Sequence, residues 1–327
     1  MEFDRYLFAY FVNGSDADAE QVRFAVSHDA TAKGWTPLHA GAPVLRSTVG
    51  EGGVRDPFLT RDPRTGRVHL LATDLHAAAD DAEGRAATGG EGGAWDRAVR
   101  HGSRSIVVWS SDDLVRWTPP HLATIAPADA GNAWAPKAFW RADRGGWTLF
   151  FASALYPEGD SRSRERHQRV LSVETSDFRE FSAPRTFLDP GHDVIDVTFA
   201  EFGGRLHRFS ADSLTDVPDE KWRFVSQEVG DAIDDSAFVV VRRDLGRPEL
   251  ERAEGPAPFP ALDGSALFLL LDEFEKRGCQ LFRSDDPASG RWEHVPDAGL
   301  PEGARHGSVL PITRSEAERL LETEDPS

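Results

Sequence analysis

The chain has 327 residues, a mass of 36.0 kDa and 39% hydrophobic residues, enough to build a packed core, which excludes a disordered or fibrous protein. Its 55 Asp and Glu residues outnumber 37 Lys and Arg residues and give a formal charge of −18, so we expect neither nucleic acid nor an anionic membrane as a partner. The single Cys279 permits no internal disulfide and no cysteine zinc site, so packing must hold the fold.

The first apolar run, Tyr6 to Val12, follows the charged residues Glu2, Asp4 and Arg5. No small-residue cleavage pattern comes after it, so it predicts a strand rather than a signal peptide. No stretch approaches the ~18 consecutive apolar residues of a membrane span. If Met1 is the natural start, we expect the protein to stay in the cytoplasm.

One pattern recurs along the chain: a short strand that ends in Ser and Asp, then a turn, then Trp or Phe. The copies are FAVSHDATAKGW ending at Trp35, VVWSSDDLVRW ending at Trp117, VETSDFREF ending at Phe181 and LFRSDDPASGRW ending at Trp292. A weaker copy, WRFVSQEV before AFVVV, lies in the remaining gap. A spacing of roughly 64 residues is consistent with propeller repeats that carry loop insertions, and five units fill the chain.

Each unit contains four short runs of strand length. KAFWRAD, WTLFFASA, RVLSVETSD and EFSAPRTFL, for example, are separated by Gly, Asp and polar residues. One unit is split: RHGSVLPIT near the C-terminus supplies one strand, and RYLFAYFV, QVRFAVSHD and WTPLHAG at the N-terminus supply three. Joining them closes the ring and removes open sheet edges. The sequence therefore predicts an all-β, five-bladed β-propeller that spans residues 1–327 as one domain, with its last blade closed by N-terminal strands plus a C-terminal strand.

Helical periodicity is confined to the tail. Ser315 and Glu318 form an S-x-x-E capping box ahead of Leu320 and Leu321. This pattern predicts a short, structural helix near residues 315–322.

The first strand of each unit carries unusual residues at its start, the end nearest the propeller axis. These starts are RDPF at Asp56, WAPKAF at 134–139, VIDVTF at Asp196, AEGPAPF at Glu254 and RHGSV at His306. A carboxylate directly before an apolar strand is costly to bury unless neighbours or function compensate. One such Asp alone would be an ordinary turn residue. Their recurrence at equivalent places predicts that three carboxylates and a histidine meet at the axis.

The connections between second and third strands are long, whereas those between first and second strands are tight polar turns. The long connections cover residues 76–103, 155–169 and 211–220. They lie on the same face as the starts of the first strands, so we expect them to wall a pocket over the carboxylates. Two carboxyl groups that flank a bond, with a third beside them, suit acetal hydrolysis, because one protonates the leaving oxygen while another activates water.

These segments resemble glycoside hydrolase family 43, five-bladed propeller enzymes that remove arabinofuranosyl or xylosyl units from plant polysaccharides. RDPFLTRDPRTGRVHLLATD is similar to the family's D-P opening strand, AWAPKAFW to its W-A-P-E segment, VIDVTF to its I-D strand and EGPAPF to its E-G-P motif. The four occur in order at blade spacing, and the resemblance covers nearly the whole chain.

Carried over by position, the resemblance implies Asp56 as the general base, Glu254 as the general acid, and Asp196 as the residue that raises the pKa of the acid and orients it. His306 matches the family's axial histidine, which implies a water-coordinated structural calcium ion in the central channel. A lone histidine is also consistent with a structural hydrogen bond. No cofactor is required for the chemistry.

Lys137 departs from the family pattern, which has a glutamate at this position. Two placements are open. Near the pocket, its charge would pair with Asp196 or Glu254 and lower the pKa of an acid. Otherwise it faces away from the funnel and pairs with a loop carboxylate.

Four further side chains are candidates for sugar binding together with Lys137. Trp134 and Trp95 offer apolar ring faces for a sugar, although Trp is as often part of blade packing. Arg277 and Arg305 are placed to bind hydroxyls or a carboxylate, and both are equally consistent with solvated side chains.

The sequence predicts an inverting, exo-acting glycosidase that releases pentose units from arabinose- or xylose-containing oligosaccharides, with α-L-arabinofuranosidase as the first expectation. Carboxylates contributed by different blades favour the ~6.5–9.5 Å separation of an inverting enzyme over the ~5–5.5 Å of a retaining one. A β-xylosidase is the nearest alternative. A non-catalytic carbohydrate-binding propeller is the alternative from another class, and Lys137 would then be a sign of lost activity.

Overall fold

The computed structural model describes residues 2–77, 93–213, 224–234 and 237–322, and its strands form five four-stranded antiparallel sheets. Blades 1 to 4 each consist of four strands that follow one another along the chain, and blade 5 joins the two ends of the chain. The predicted five-bladed β-propeller is therefore confirmed, including the closure of the last blade.

Strands are numbered along the chain, so that blade 5 contains β1, β2, β3 and β20. In blade 5 they are β1 (Arg5–Phe11), β2 (Arg23–Ser27), β3 (Trp35–Pro37) and β20 (Arg305–Ile312). In blade 1 they are β4 (Val54–Arg61), β5 (Val68–Asp74), β6 (Ser105–Ser111) and β7 (His121–Thr124). In blade 2 they are β8 (Trp134–Arg141), β9 (Gly146–Ala154), β10 (Gln168–Thr175) and β11 (Arg185–Leu188).

The remaining two blades follow the same order. In blade 3 the strands are β12 (Val194–Phe202), β13 (Arg205–Asp212), β14 (Phe224–Gly230) and β15 (Val239–Leu245). In blade 4 they are β16 (Glu254–Pro260), β17 (Leu267–Glu273), β18 (Gly278–Ser284) and β19 (Glu293–Val295). The innermost strands are β4, β8, β12, β16 and β20, and they bring the five unusual strand starts to the axis.

The core lies between neighbouring blades rather than within one sheet. Each of the five interfaces between blades holds its own cluster of buried apolar side chains. Between blades 4 and 5, for example, Tyr6 packs edge-on against Phe259, with ring centroids 5.0 Å apart. Burial of these faces supplies the main stabilisation of a fold that has no disulfide.

The recurring aromatic of the repeat closes the turn after a strand. The indole Nε1 of Trp35 donates to the carbonyl of Ala32 at 3.0 Å, and that of Trp117 donates to the carbonyl of Leu114 at 2.9 Å. Ala32 and Leu114 both have positive φ. The repeat thus marks a structural turn that recurs from blade to blade.

Two helices, α1 (Ala94–His101) and α2 (Arg314–Glu322), accompany the sheets in the described part of the chain, with short 3₁₀ turns at Leu38–Gly41 and Pro287–Ser289. The sequence predicted α2 but not α1, which lies in the long connection between β5 and β6. No helix among the described residues is both long and apolar enough to span a bilayer.

The capping box of α2 lies two residues before the predicted one. The amide of Glu316 donates to Thr313 Oγ1 at 3.3 Å, and the amide of Thr313 donates to Glu316 Oε2 at 2.8 Å. Ser315 and Glu318 were therefore the wrong pair. Glu316 also pairs with Arg61 at 2.8 Å, which fastens the helix to β4 and explains why this register is preferred.

Candidate active site

A β-bulge at the same place in each innermost strand positions the site residues. In β4, β8, β12 and β16 two residues oppose one residue of the next strand. The first bulged residue has positive φ: Asp56 (55°), Ala135 (50°), Asp196 (60°) and Gly255 (58°). In β20 the same register shift contains His306 and Gly307. A bulge re-aims a side chain, and here it turns the bulged residues toward the axis.

Asp56, Asp196 and His306 share one position, but Glu254 stands one residue earlier. The expectation that all three carboxylates are equivalent was wrong. In β16 the bulged position is Gly255, where an added Cβ would lie 2.6 Å from His306 Cγ. The imidazole therefore fills the space that a side chain would need, and the carboxylate of this blade comes from the neighbouring position.

The strand starts open into a cleft of about 400 Å³. Of the three predicted long connections, the first contributes Trp95 and Val99 to its lining, and no described residue of the other two lines it. All three carboxylates line it, together with the rings of Trp95 and Trp134. The side chains of Asp196, Asp56 and Glu254 are 5%, 15% and 20% exposed. Glu254 is thus the most accessible of the three and Asp196 the most enclosed.

His306 links two of the carboxylates. Its Nδ1 lies 3.1 Å from Asp56 Oδ1 and 3.8 Å from Asp196 Oδ2. The other oxygen of Asp56 accepts a hydrogen bond from Thr73 Oγ1 at 2.7 Å, and Asp196 Oδ2 accepts the amide of Gly255 at 3.0 Å. We call Asp56, Asp196, His306 and Lys137 the hub of the propeller.

The environment of Asp56 favours its charged form. Burial raises the pKa of this carboxyl, but the contact with His306, together with Arg55 and Thr73, outweighs burial and holds the pKa well below its usual range. An ionised carboxylate with both oxygens fixed by single hydrogen bonds keeps lone pairs for a water molecule. This is the state that a general base requires.

A buried ion pair supports Glu254. Arg305 Nη2 lies 3.2 Å from Glu254 Oε1, while Arg305 Nε donates to Asp272 Oδ2 at 2.6 Å. Asp272 is fully buried and also accepts the amide of His306 at 3.1 Å. Arg305 therefore lies in the cleft, as predicted, with most of its charge balanced by Asp272 rather than by the cleft carboxylate.

Lys137 does not pair with a loop carboxylate. It is 1% exposed, and its Nζ lies 3.0 Å from His306 Nε2 on the side away from Asp56. It is absent from the residues lining the cleft, so the expectation that it binds substrate directly was also wrong. Burial lowers its pKa to about 8, against the opposing attraction of Asp56 and Asp196.

Trp95 and Trp134 form one wall of the cleft. Their rings are nearly perpendicular, at 88°, with centroids 6.2 Å apart. Trp95 is partly exposed, and the guanidinium of Arg55 lies 5.0 Å from its ring centroid. Both predicted aromatic candidates are therefore placed where a sugar ring could pack.

Arg277 is not placed to contact a ligand in the cleft. Its side chain is half exposed and bonds to Glu273 and to the carbonyl of Glu249. The carboxylate of Glu273, in the same hairpin, holds the Arg277 side chain. The neighbouring residues Phe274 and Glu275, which the sequence did not single out, line the cleft instead.

The surroundings of His306 do not fit a calcium ion. Calcium requires six to eight oxygen ligands. Within the described ranges no group of three or more His, Cys, Asp and Glu side chains is arranged to hold a metal. The free side of His306, at Nε2, faces the nitrogen of Lys137 rather than oxygen ligands.

Thr73 and Asp272 belong to the site but were not predicted from the sequence. Thr73 bridges blades, because its hydroxyl donates to Asp56 and accepts the amide of Ala135 at 2.8 Å. Thr73 and Asp272 stand at equivalent ends of the second strands, in LLATD and LFLLLDE. A polar residue that ends a buried apolar strand was the available signal.

Three known proteins are similar to this chain. An α-L-arabinofuranosidase of Bifidobacterium longum subsp. longum is 28% identical over 183 residues, which are 52% of this chain and 16% of that protein. The chain thus spans only a small part of this relative. An α-L-arabinofuranosidase from Lactobacillus brevis superposes with a TM-score of 0.54 at 14% identity, covering 85% of this chain and 82% of the other. A Penicillium chrysogenum α-L-arabinanase gives a TM-score of 0.55 at 13% identity, covering 93% and 80%.

At such identities the two structural similarities establish the fold alone. A family model described as a probable glycosyl hydrolase domain matches residues 2–318, nearly the whole described chain. The propeller, the three axial carboxylates and this match together lead to one assignment: the chain belongs to the glycosyl hydrolase 43-related family.

Proposed function

We propose that the protein is an inverting, exo-acting glycoside hydrolase that releases pentose units, and specifically an α-L-arabinofuranosidase. The observation that carries the proposal is the set of three carboxylates, from three different blades, that line one cleft with graded exposure. The B. longum relative, named as an α-L-arabinofuranosidase, supports the choice of sugar.

The three carboxylates take different roles in this proposal. Asp56, kept ionised beside His306, removes a proton from the attacking water. Glu254, the most accessible carboxyl, protonates the departing glycosidic oxygen. Asp196, fixed to the amide of Gly255 next to Glu254, orients the acid and opposes its ionisation through like charge.

The size of the cleft supports exo action. About 400 Å³ is within the range of small-molecule sites and suits one sugar unit with part of its neighbour. The perpendicular rings of Trp95 and Trp134 close one side, and an apolar ring face can cover the C–H face of a pentose. The substrate would be an arabinose-containing oligosaccharide.

Kinetics of Glu254→Ala on a series of aryl α-L-arabinofuranosides and aryl β-D-xylosides test the proposal. We expect a loss of ~10³-fold on poor leaving groups, which need a proton, and a much smaller loss on dinitrophenyl glycosides, which do not. Asp56→Ala should lose activity on both. Glu201→Ala, at an exposed turn on the opposite face, is the matched control and should behave as wild type.

The stereochemistry of the released sugar, followed by NMR, tests the inverting mechanism. Appearance of the inverted anomer first would support it, and initial retention would reject it. A faster xyloside reaction would replace arabinofuranosidase by β-xylosidase. No turnover on any aryl glycoside, with retained arabinose binding, would instead indicate a carbohydrate-binding propeller.

A further inference from the structure

The hub contains a buried cation that the proposed reaction does not use directly. Lys137 contacts His306 on the side opposite to Asp56, with Nζ 3.0 Å from Nε2 and 5.3 Å from the ring centroid of Phe58. It also lines a cavity of about 90 Å³ on the far side of the hub from the cleft. Among the described residues that line this cavity, none besides Lys137 is ionisable.

The hydrogen-bond roles along this line follow from the chemistry of an ammonium group. A lysine ammonium has donors only, so Nε2 of His306 must accept. The proton of a neutral imidazole is then on Nδ1, which faces Asp56 Oδ1 at 3.1 Å and donates to it. Lys137, His306 and Asp56 thus form a chain with a single direction of donation.

The charges of the hub explain why a cation is tolerated there. Asp56 on β4 and Asp196 on β12 both attract Lys137, while His306 on β20 provides its hydrogen-bond acceptor. A buried ammonium without such partners would be strongly destabilising, and so would two adjacent carboxylates without a cation.

We propose that Lys137 is a positioning residue that serves as the built-in cation of the hub. It fixes His306 with its proton on Nδ1, and His306 in turn aims Asp56 at the attacking water. The ammonium occupies Nε2, the ring nitrogen of His306 that does not face a carboxylate, so the protein needs no metal there. The effect on turnover rests on the proposed function, whereas the imidazole proton and metal independence do not.

Lys137→Met tests the proposal, because it keeps an unbranched side chain only one atom shorter and removes the charge. Lys33→Met, an exposed lysine in the turn before β3, is the matched control. We expect kcat to fall ~10–100-fold with KM within about twofold, as a misaimed general base predicts. Lys33→Met should match wild type. A change in KM alone, or no change, would overturn the positioning role.

The second measurement reads the imidazole directly. In ¹⁵N-histidine-labelled wild type, with the His306 signal assigned by its loss in His306→Gln, we expect a protonated Nδ1 and an unprotonated Nε2. Protonation of Nε2 in wild type would overturn the proposal. This spectrum and the metal test below decide the matter even if Lys137→Met fails to fold or the protein proves to have another activity.

The third measurement concerns metal. Purified wild type should contain no stoichiometric calcium, and EGTA or added CaCl₂ should leave its melting temperature unchanged. Calcium that copurifies at one equivalent, or a melting temperature lowered by EGTA and restored by CaCl₂, would show that Lys137 does not replace an ion.

Discussion

Removing the carboxylate of Asp272 tests the buried support beneath Glu254. Asp272 is fully buried and holds Arg305 at 2.6 Å, and the Arg305 side chain is itself only 9% exposed. Asp272→Ala leaves a buried guanidinium without its main counter-charge. Loss of one partner from a buried pair costs about 3–5 kcal/mol in the free energy of unfolding. Arg305 is then left to Glu254 alone, which favours ionised Glu254 and should lower kcat.

Urea unfolding followed by tryptophan fluorescence measures the loss of stability. The matched control is Asp231→Ala, which removes the carboxylate of an exposed pair with Arg205 and should cost less than about 1 kcal/mol. The double variant Asp272→Leu with Arg305→Met removes both charges, and it should recover at least half of the loss. Equal effects of Asp272→Ala and Asp231→Ala, or no recovery in the double variant, would refute the reasoning.

Three further predictions concern the hub, its bulge and the terminal helix. His306→Gln removes the contact that holds the pKa of Asp56 low, so the pKa of Asp56 should rise and the acid limb of the kcat/KM profile should move to higher pH. The control His294→Gln should leave that limb in place. An unchanged limb in His306→Gln would contradict the prediction. Gly203→Ala, in open space, should lower the free energy of unfolding by only the ~1–2 kcal/mol that positive φ costs. Gly255→Ala also forces its Cβ against His306, which should cost about 1–3 kcal/mol more. Equal unfolding free energies for the two variants would contradict the packing of His306 on Gly255. Thr313→Ala should cost ~1 kcal/mol by removing the cap of α2, and Ser315→Ala much less; the reverse order in urea unfolding would restore the capping pair predicted from the sequence.

The propeller could be predicted because strand alternation and turn residues are local signals that recur. Five inner strand starts carried Asp56, the W-A-P-K segment, Asp196, Glu254 and His306 in order, and each blade folds as those segments imply. The split blade followed from counting strands at the two ends. No capping or periodicity signal predicted α1, which lies within the long connection between β5 and β6.

The direction of side chains at the hub could not be predicted, because it depends on the bulges. One extra residue in a strand moves the following side chains to the other face. Lys137 follows the bulge of β8 and therefore reaches His306 from behind instead of entering the cleft. For the same reason Glu254, before its bulge, is not equivalent to Asp56 and Asp196. Arg277 was misplaced because a long side chain takes the nearest carboxylate, here Glu273.

The capping pair of α2 was predicted wrongly for a different reason. T-R-S-E, from Thr313 to Glu316, satisfies the same S/T-x-x-E pattern as the pair that starts at Ser315. The choice between the two depends on Arg61, which comes from a distant strand and holds Glu316. Only the tertiary structure distinguishes these registers.

The most direct test of the account is a crystal structure of Glu254→Gln with an arabinose-containing oligosaccharide. We expect a terminal arabinofuranose in the cleft, with the side chain at position 254 within ~2.6–3.2 Å of the glycosidic oxygen and a water bound to Asp56 on the opposite face of the sugar. A sugar bound outside the cleft, or a glycosidic oxygen beyond the reach of residue 254, would contradict it.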